Sequence, residues 1–153
     1  MRQIILTLVI LLFTLLPTGA ANKLDIHPVK KIEANPINVA AMLTERPDSA
    51  SVASTCEYYG YTLQSPQDGY TVFRHPNGSV IRFTFKEEKN GKRYSTIEVR
   101  SKASQKEKDQ ILQTLNFQKS GNAYVRRNIG YTTQCTNGPQ GSLVFQQQPK
   151  IRN

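Results

Sequence analysis

His27 and His75 are the only histidines in the 153-residue chain, and any imidazole chemistry must come from one of them. His75 opens the run His75-Pro76-Asn77-Gly78, with Arg74 and Arg82 close by in sequence. A histidine and a glutamate held together on a small basic scaffold would move protons on a phosphodiester, the chemistry of a secreted nuclease. Glu57 falls on a predicted helix and Glu98 on a predicted strand, however, and spacing alone brings neither to His75. A turn histidine without catalytic duty is the plain alternative.

Other reactive constellations are scarcer still. No two of the His, Cys, Asp and Glu residues stand at metal-ligand spacing on one plausible element, so neither a metal nor another cofactor is expected. There is no Gly-x-Ser-x-Gly elbow and no phosphate-cradling glycine loop. Lys86-Glu87-Glu88-Lys89 reads as the charged end of a hairpin. Asn77-Gly78-Ser79 fits both a glycosylation sequon and a tight turn. No catalytic residue is assigned.

Binding has better support. Arg82, Lys86, Tyr94 and Arg100 alternate with apolar residues on two predicted strands, and Tyr124 and Arg126 are expected to join them from a later one. Tyrosine and arginine are the side chains that most often anchor protein interfaces. The same mixture could stack bases and neutralise phosphates of a single-stranded nucleic acid, or be the ordinary polar side of a half-buried sheet. Asp68 lies in Ser65-Pro66-Gln67-Asp68-Gly69, a hairpin tip. There it either plugs a basic pocket on another protein or serves the turn's backbone geometry.

The elements that position these residues follow from periodicity. Asn35-Pro36 marks a turn. The stretch from Asn38 to Glu45 makes two helical turns, with Val39, Met42 and Leu43 at core spacing. Pro47 ends that run, and Asp48 caps a second helix carrying Val52, Cys56 and Tyr59 on one face. From Tyr61 the period changes to two. Strands are predicted at Gly69–Arg74, Ser79–Lys86 and Lys92–Arg100, with Asn90-Gly91 as the hairpin turn between the last two. Ile81, Phe83, Phe85, Ile97 and Val99 point inward; Arg82, Thr84, Lys86, Tyr94, Thr96, Glu98 and Arg100 point outward. Ser104 and Glu107 form a capping box for a third helix bearing Ile111, Leu112 and Leu115. Further strands follow at Ala123–Arg127, Tyr131–Cys135 and Ser142–Gln146.

The N-terminus reads as an export signal. Met1-Arg2-Gln3 precedes an apolar run from Ile4 to Leu16, then Pro17-Thr18-Gly19-Ala20-Ala21. That run falls short of the roughly 20 residues needed to span a bilayer. With residues 1–21 removed the formal charge falls from +9 to +8, through loss of Arg2. A secreted or periplasmic protein so basic suits a polyanion partner, although such a charge also serves solubility. In an oxidising compartment Cys56 and Cys135 are expected to pair as a disulfide, with two buried free thiols as the alternative.

Two stretches look alike. Asp48 to Phe85 and Ser104 to Phe145 each run from a capped helix into strands. Gly60 and Asn116 sit at equivalent helix ends, Cys56 falls over Leu112, and Phe83 and Phe85 lie near Leu143 and Phe145. The organisation expected is a leader (1–21), an extended lead-in (22–36), a first helix–sheet unit (37–101), a second (102–147) and a polar tail (148–153). The fold class is α+β: two tandem units of short helices followed by a small antiparallel sheet, with the helices on one sheet face.

In architecture these stretches resemble the β-lactamase inhibitor protein family, whose exported members are built from such tandem units. The resemblance implies a non-catalytic module that binds a protein through an aromatic-rich sheet surface and projecting loops, here the face holding Tyr94. It carries over no contact residue. The chain also departs from that family in being shorter and in having one cysteine per unit, where the inhibitors keep a bridge within each.

Overall fold

The computed structural model describes residues 34–46 and 48–149. The leader (1–21), residues 22–33 of the lead-in and residues 150–153 of the tail lie outside them. The described residues form an α+β fold of three α-helices and an eight-stranded antiparallel sheet.

Helix α1 spans Pro36–Leu43, starting two residues earlier than its periodicity predicts. Asn35 caps it, its side chain accepting from the Ile37 N–H at 2.9 Å, and Pro36 fits the first turn because no N–H is needed there. Ile37, Val39, Ala40, Ala41 and Leu43 are all buried, so α1 is enclosed on most of its circumference. Helix α2 (Ser49–Tyr58) starts at Asp48, whose carboxylate accepts from the Ser51 N–H at 2.7 Å; it buries Val52 and Cys56. Helix α3 (Gln105–Thr114) carries the expected capping box between Ser104 and Glu107 and buries Leu112. Lys108 is also buried on α3, donating to the Gly141 carbonyl at 2.6 Å.

The strands are β1 (Thr62–Gln67), β2 (Tyr70–Arg74), β3 (Val80–Glu87), β4 (Arg93–Arg100), β5 (Gln118–Ser120), β6 (Ala123–Arg127), β7 (Tyr131–Asn137) and β8 (Leu143–Pro149). Their order across the sheet is β1-β2-β3-β4-β8-β7-β6-β5. Each group of four is a meander, and the two meanders join where β4 pairs antiparallel with β8, Ile97 opposite Phe145 and Val99 opposite Leu143. The two small sheets predicted from sequence are therefore one. Strand β1 is exposed along its whole length, lacks alternation and contains Pro66, which an edge strand tolerates. Gly138, in the β7–β8 connection, is needed for close approach: a Cβ there would lie 2.5 Å from Ser142 Oγ and 2.7 Å from Val144 Cγ2.

One apolar cluster combines helix residues (Ile37, Leu43, Val52, Leu112) with strand residues (Phe73, Ile81, Phe83, Ile97, Val99, Phe145). Phe73 stacks on Phe83 at 5.9 Å between centroids, and Phe117 meets Phe145 edge-on at 5.7 Å. Cys56 and Cys135 belong to the same cluster, each fully buried, and they are not bonded to each other. The expected disulfide is therefore corrected to two free thiols. The reason is placement: α2 packs beside β1, whereas β7 is the sixth strand in the sheet order. At about 4.8 Å per strand that separation is on the order of 20 Å, beyond the reach of a disulfide. Each thiol instead fills space as a small apolar group.

Candidate functional site

Strand register builds the site as a grid. Val72 lies opposite Arg82, Arg82 opposite Glu98, and Glu98 opposite Val144. One row along, Arg74 faces Val80 and Val80 faces Arg100. In the other direction Thr84 faces Thr96, Thr96 faces Gln146 and Gln146 faces Gln134. Beyond them Lys86 faces Tyr94. Side chains alternate along a strand, so these residues share the face opposite to Ile81, Phe83, Ile97 and Phe145.

Arg82 is the most constrained of the group. Its Nη1 donates to Glu98 Oε2 at 2.9 Å, its Nη2 donates to Asp68 Oδ2 at 3.2 Å, and its guanidinium lies 4.5 Å above the centre of the Tyr70 ring. Glu98, expected to be exposed, is buried with only 8 % of its side chain accessible, while Asp68 is 88 % accessible. A buried carboxylate needs a paired cation, and Arg82 supplies it from the neighbouring strand. Asp68 and Gly69 both have positive φ, 51° and 78°, and the resulting tight turn brings the Asp68 carboxylate back over the sheet. Asp68 is thus engaged with its own chain.

Two clefts open on this face. One, of about 90 Å³, is lined by Arg74, Arg82, Arg100, Glu98, Val72 and Val80. The other, of about 210 Å³, is lined by Lys86, Glu88, Tyr94, Thr96, Gln146 and Gln148. Partial burial, and then the nearby Glu88 charge, raises the Tyr94 phenol above its ordinary value, leaving it a neutral hydrogen-bonding group at physiological pH.

Of the residues singled out in the sequence, Arg82, Lys86, Tyr94 and Arg100 come together on this face, and Asp68 reaches it from the hairpin tip. Tyr124 and Arg126 do not, which corrects the expectation for both. Register sets Tyr124 opposite Cys135 and Arg126 opposite Thr133, the side of β7 that carries the buried Cys135. Arg126 Nη2 donates to Glu45 Oε1 at 2.8 Å and to the Ala41 carbonyl at 3.3 Å, and its guanidinium stacks 4.7 Å above Phe117. The Tyr124 phenol is raised by burial first and then by Asp109 of α3. Long side chains with apolar stems can line a core edge while their polar ends find partners, and both residues do so.

His75 is half-buried, with its ring 5.0 Å from that of Tyr61 and its Nδ1 accepting from the Asn77 N–H at 3.2 Å. Glu98 is committed to Arg82 and Glu57 is exposed on α2. No histidine–glutamate pair is assembled among the described residues. Burial pushes both thiols up to about 12, which removes them as nucleophiles at neutral pH. Among the described residues no group of three or more His, Cys, Asp and Glu side chains could hold a metal ion.

Sequence reasoning missed Tyr70 and Arg74. Both share a strand with Val72, and the same period-two alternation places all three on one face. Comparison with known proteins finds no matching family model, no matching curated protein and no matching solved structure.

Proposed function

We propose that the protein is an exported, non-catalytic binding module that engages a protein partner through the sheet face bearing Arg82 and Tyr94 and through the hairpin loops beside it. The observation that carries this reading is the division of labour across the sheet. Ile81, Phe83, Ile97, Val99 and Phe145 go into the core cluster, while the other face presents Tyr70, Tyr94, three arginines and a band of threonine and glutamine. On this reading all three helices cover the core face and leave the other accessible, as the resemblance to the β-lactamase inhibitor proteins implies. Residues 1–21 are on this reading an export leader, and the module works in the periplasm or outside the cell.

The same reading makes the chain two tandem helix–sheet units. At the end of α2 the N–H groups of Tyr59, Gly60 and Tyr61 donate to Thr55, Glu57 and Cys56; at the end of α3 those of Leu115, Asn116 and Phe117 donate to Ile111, Gln113 and Leu112 in the same pattern. Each helix leads into a four-stranded meander, and the meanders meet through their last strands, as an approximate twofold axis would require. Aligned by strand register, Ile97 and Val99 of β4 are the counterparts of Leu143 and Phe145 of β8, which replaces the alignment with Phe83 and Phe85.

Capture from envelope or culture extract, with the chain lacking residues 1–21 as bait at low and moderate salt, tests the proposal. Thr96→Arg places a bulky charge in the middle of the face and serves as the control, its folding checked by circular dichroism. A stoichiometric protein held at both salts and lost with Thr96→Arg is the expected result. Equal capture by both baits would remove the face from the reading. Recovery of nucleic acid or mixed anionic material alone, lost at moderate salt, would replace a protein partner with a polyanion.

A further inference from the structure

Arg74, Arg82 and Arg100 surround one cleft, and their charges are not balanced within it. Arg74 and Arg100 flank Val80 from the two neighbouring strands, and Arg82 stands one row along. Three cations therefore face two carboxylates, those of Glu98 and Asp68, and both carboxylates are bound to Arg82. Arg74 and Arg100 are exposed, and neither has an acidic partner among the described residues. Glu98, buried beneath, pairs through Oε2, which fixes the Arg82 guanidinium in place before any partner arrives.

The two carboxylates on Arg82 are not equivalent. Glu98 is buried and close, whereas Asp68 is almost fully exposed, sits on a hairpin tip and makes the longer contact. Exposed pairs of the second kind contribute little and exchange readily with other ligands. We propose that Asp68 is a placeholder, and that the cleft takes an aspartate or glutamate side chain from the protein partner. The incoming carboxylate displaces Asp68 from Arg82 Nη2 and lies between Arg74 and Arg100, where guanidinium forks match its planar geometry. This inference rests on the binding-face reading and names the chemistry of its partner.

Charge distribution favours a single carboxylate over a phosphodiester chain. Polyanion binding needs cations spaced along a track. Leading away from the cleft across the middle of the sheet, the face offers Thr84, Thr96, Gln146 and Gln134, all uncharged, with Lys86 standing beyond Thr84 on β3. Once Asp68 is displaced, three arginines face Glu98 alone, and the incoming carboxylate takes over the compensation that Asp68 supplied.

The test is a titration of the chain lacking residues 1–21, followed through the arginine Nε–Hε resonances in NMR spectra. The probes are the blocked peptides acetyl-Gly-Glu-Gly-amide and acetyl-Gly-Gln-Gly-amide, inorganic phosphate, and a twelve-nucleotide single strand. Saturable shifts at Arg74, Arg82 and Arg100 with the glutamate peptide, absent with the glutamine peptide, are expected. Asp68→Asn should tighten that binding at least threefold, and Arg100→Gln should weaken it at least tenfold. The inference is overturned by unshifted arginines, by equal response to both peptides, by phosphate binding more tightly at the same sites, or by an Asp68→Asn variant no tighter than the parent. Oligonucleotide shifts spreading to Thr84 and Gln146 would overturn it in favour of a polyanion. Loss of partner capture by Thr96→Arg, together with an unresponsive cleft, would leave the binding face standing and remove only the acidic partner.

Discussion

Cys56 and Cys135 should be inert to thiol reagents for as long as the protein stays folded. Both side chains are fully buried, and burial, aided at Cys56 by the Glu57 charge, pushes each thiol from 9.0 to about 12. At pH 8 a thiol of pKa 9 is roughly one-tenth thiolate, and one of pKa 12 roughly one ten-thousandth. The reactive species is thus about a thousandfold scarcer in the folded chain, before steric access is counted. Ellman's reagent at pH 8 should release no chromophore from native protein over hours. In guanidinium chloride without reductant it should release two equivalents within minutes. The same burial fixes a pH dependence. Because the folded state holds these protons more tightly, stability is full below pH 9 and falls as pH rises from about 9 towards 12. The slope is about 1.4 kcal/mol per pH unit for each thiol. A Cys56→Ala/Cys135→Ala variant should flatten the alkaline limb of urea-unfolding stability by about 2.7 kcal/mol per pH unit, leaving the contribution of the tyrosines whose phenols are also raised. Rapid labelling of native protein, or no free thiol on unfolding, would refute the packing described for both residues.

Arg126→Ala should cost about 2 kcal/mol in urea-unfolding stability, through loss of the bonds to Glu45 and Ala41 and of packing on Phe117. Partner capture per folded molecule should be unchanged; reduced capture with stability intact would return Arg126 to the binding surface. The Ser104 hydroxyl and N–H hold the Glu107 carboxyl below its ordinary 4.5. A depressed folded value means that this contribution is present above pH about 4.5 and lost as pH falls through the folded pKa. Glu107→Gln should therefore flatten the melting temperature between pH 5 and 3, and a profile as steep as the parent's would exclude the capping box as its source.

Much of the local structure was legible. Asp48 and Ser104 as caps, the boundaries of β6, and the alternation Ile81-Arg82-Phe83-Thr84 all depend on residues close together in sequence. The face holding Arg82, Lys86, Tyr94 and Arg100 was legible for the same reason, since an alternation of eight residues leaves one assignment of sides. In β6 a short strand of Tyr124, Val125 and Arg126 offers no such contrast. Its side was set by where β7 pairs and by what Arg126 could reach on α1. Glu98 is buried, although its position in the alternation marks it as outward, because a cation stands directly opposite on β3.

The sequence by itself determined the starts of α2 and α3 and the period and class of residue on each side of β3 and β4, because caps and alternation act within a few residues. Tertiary structure alone decided that β4 and β8 merge two meanders into one sheet, that Cys56 and Cys135 stay apart as thiols, and that three arginines meet at one cleft. Those outcomes depend on register and distance between segments tens of residues apart. The amino-acid types permit them, and only cross-strand pairing selects among them.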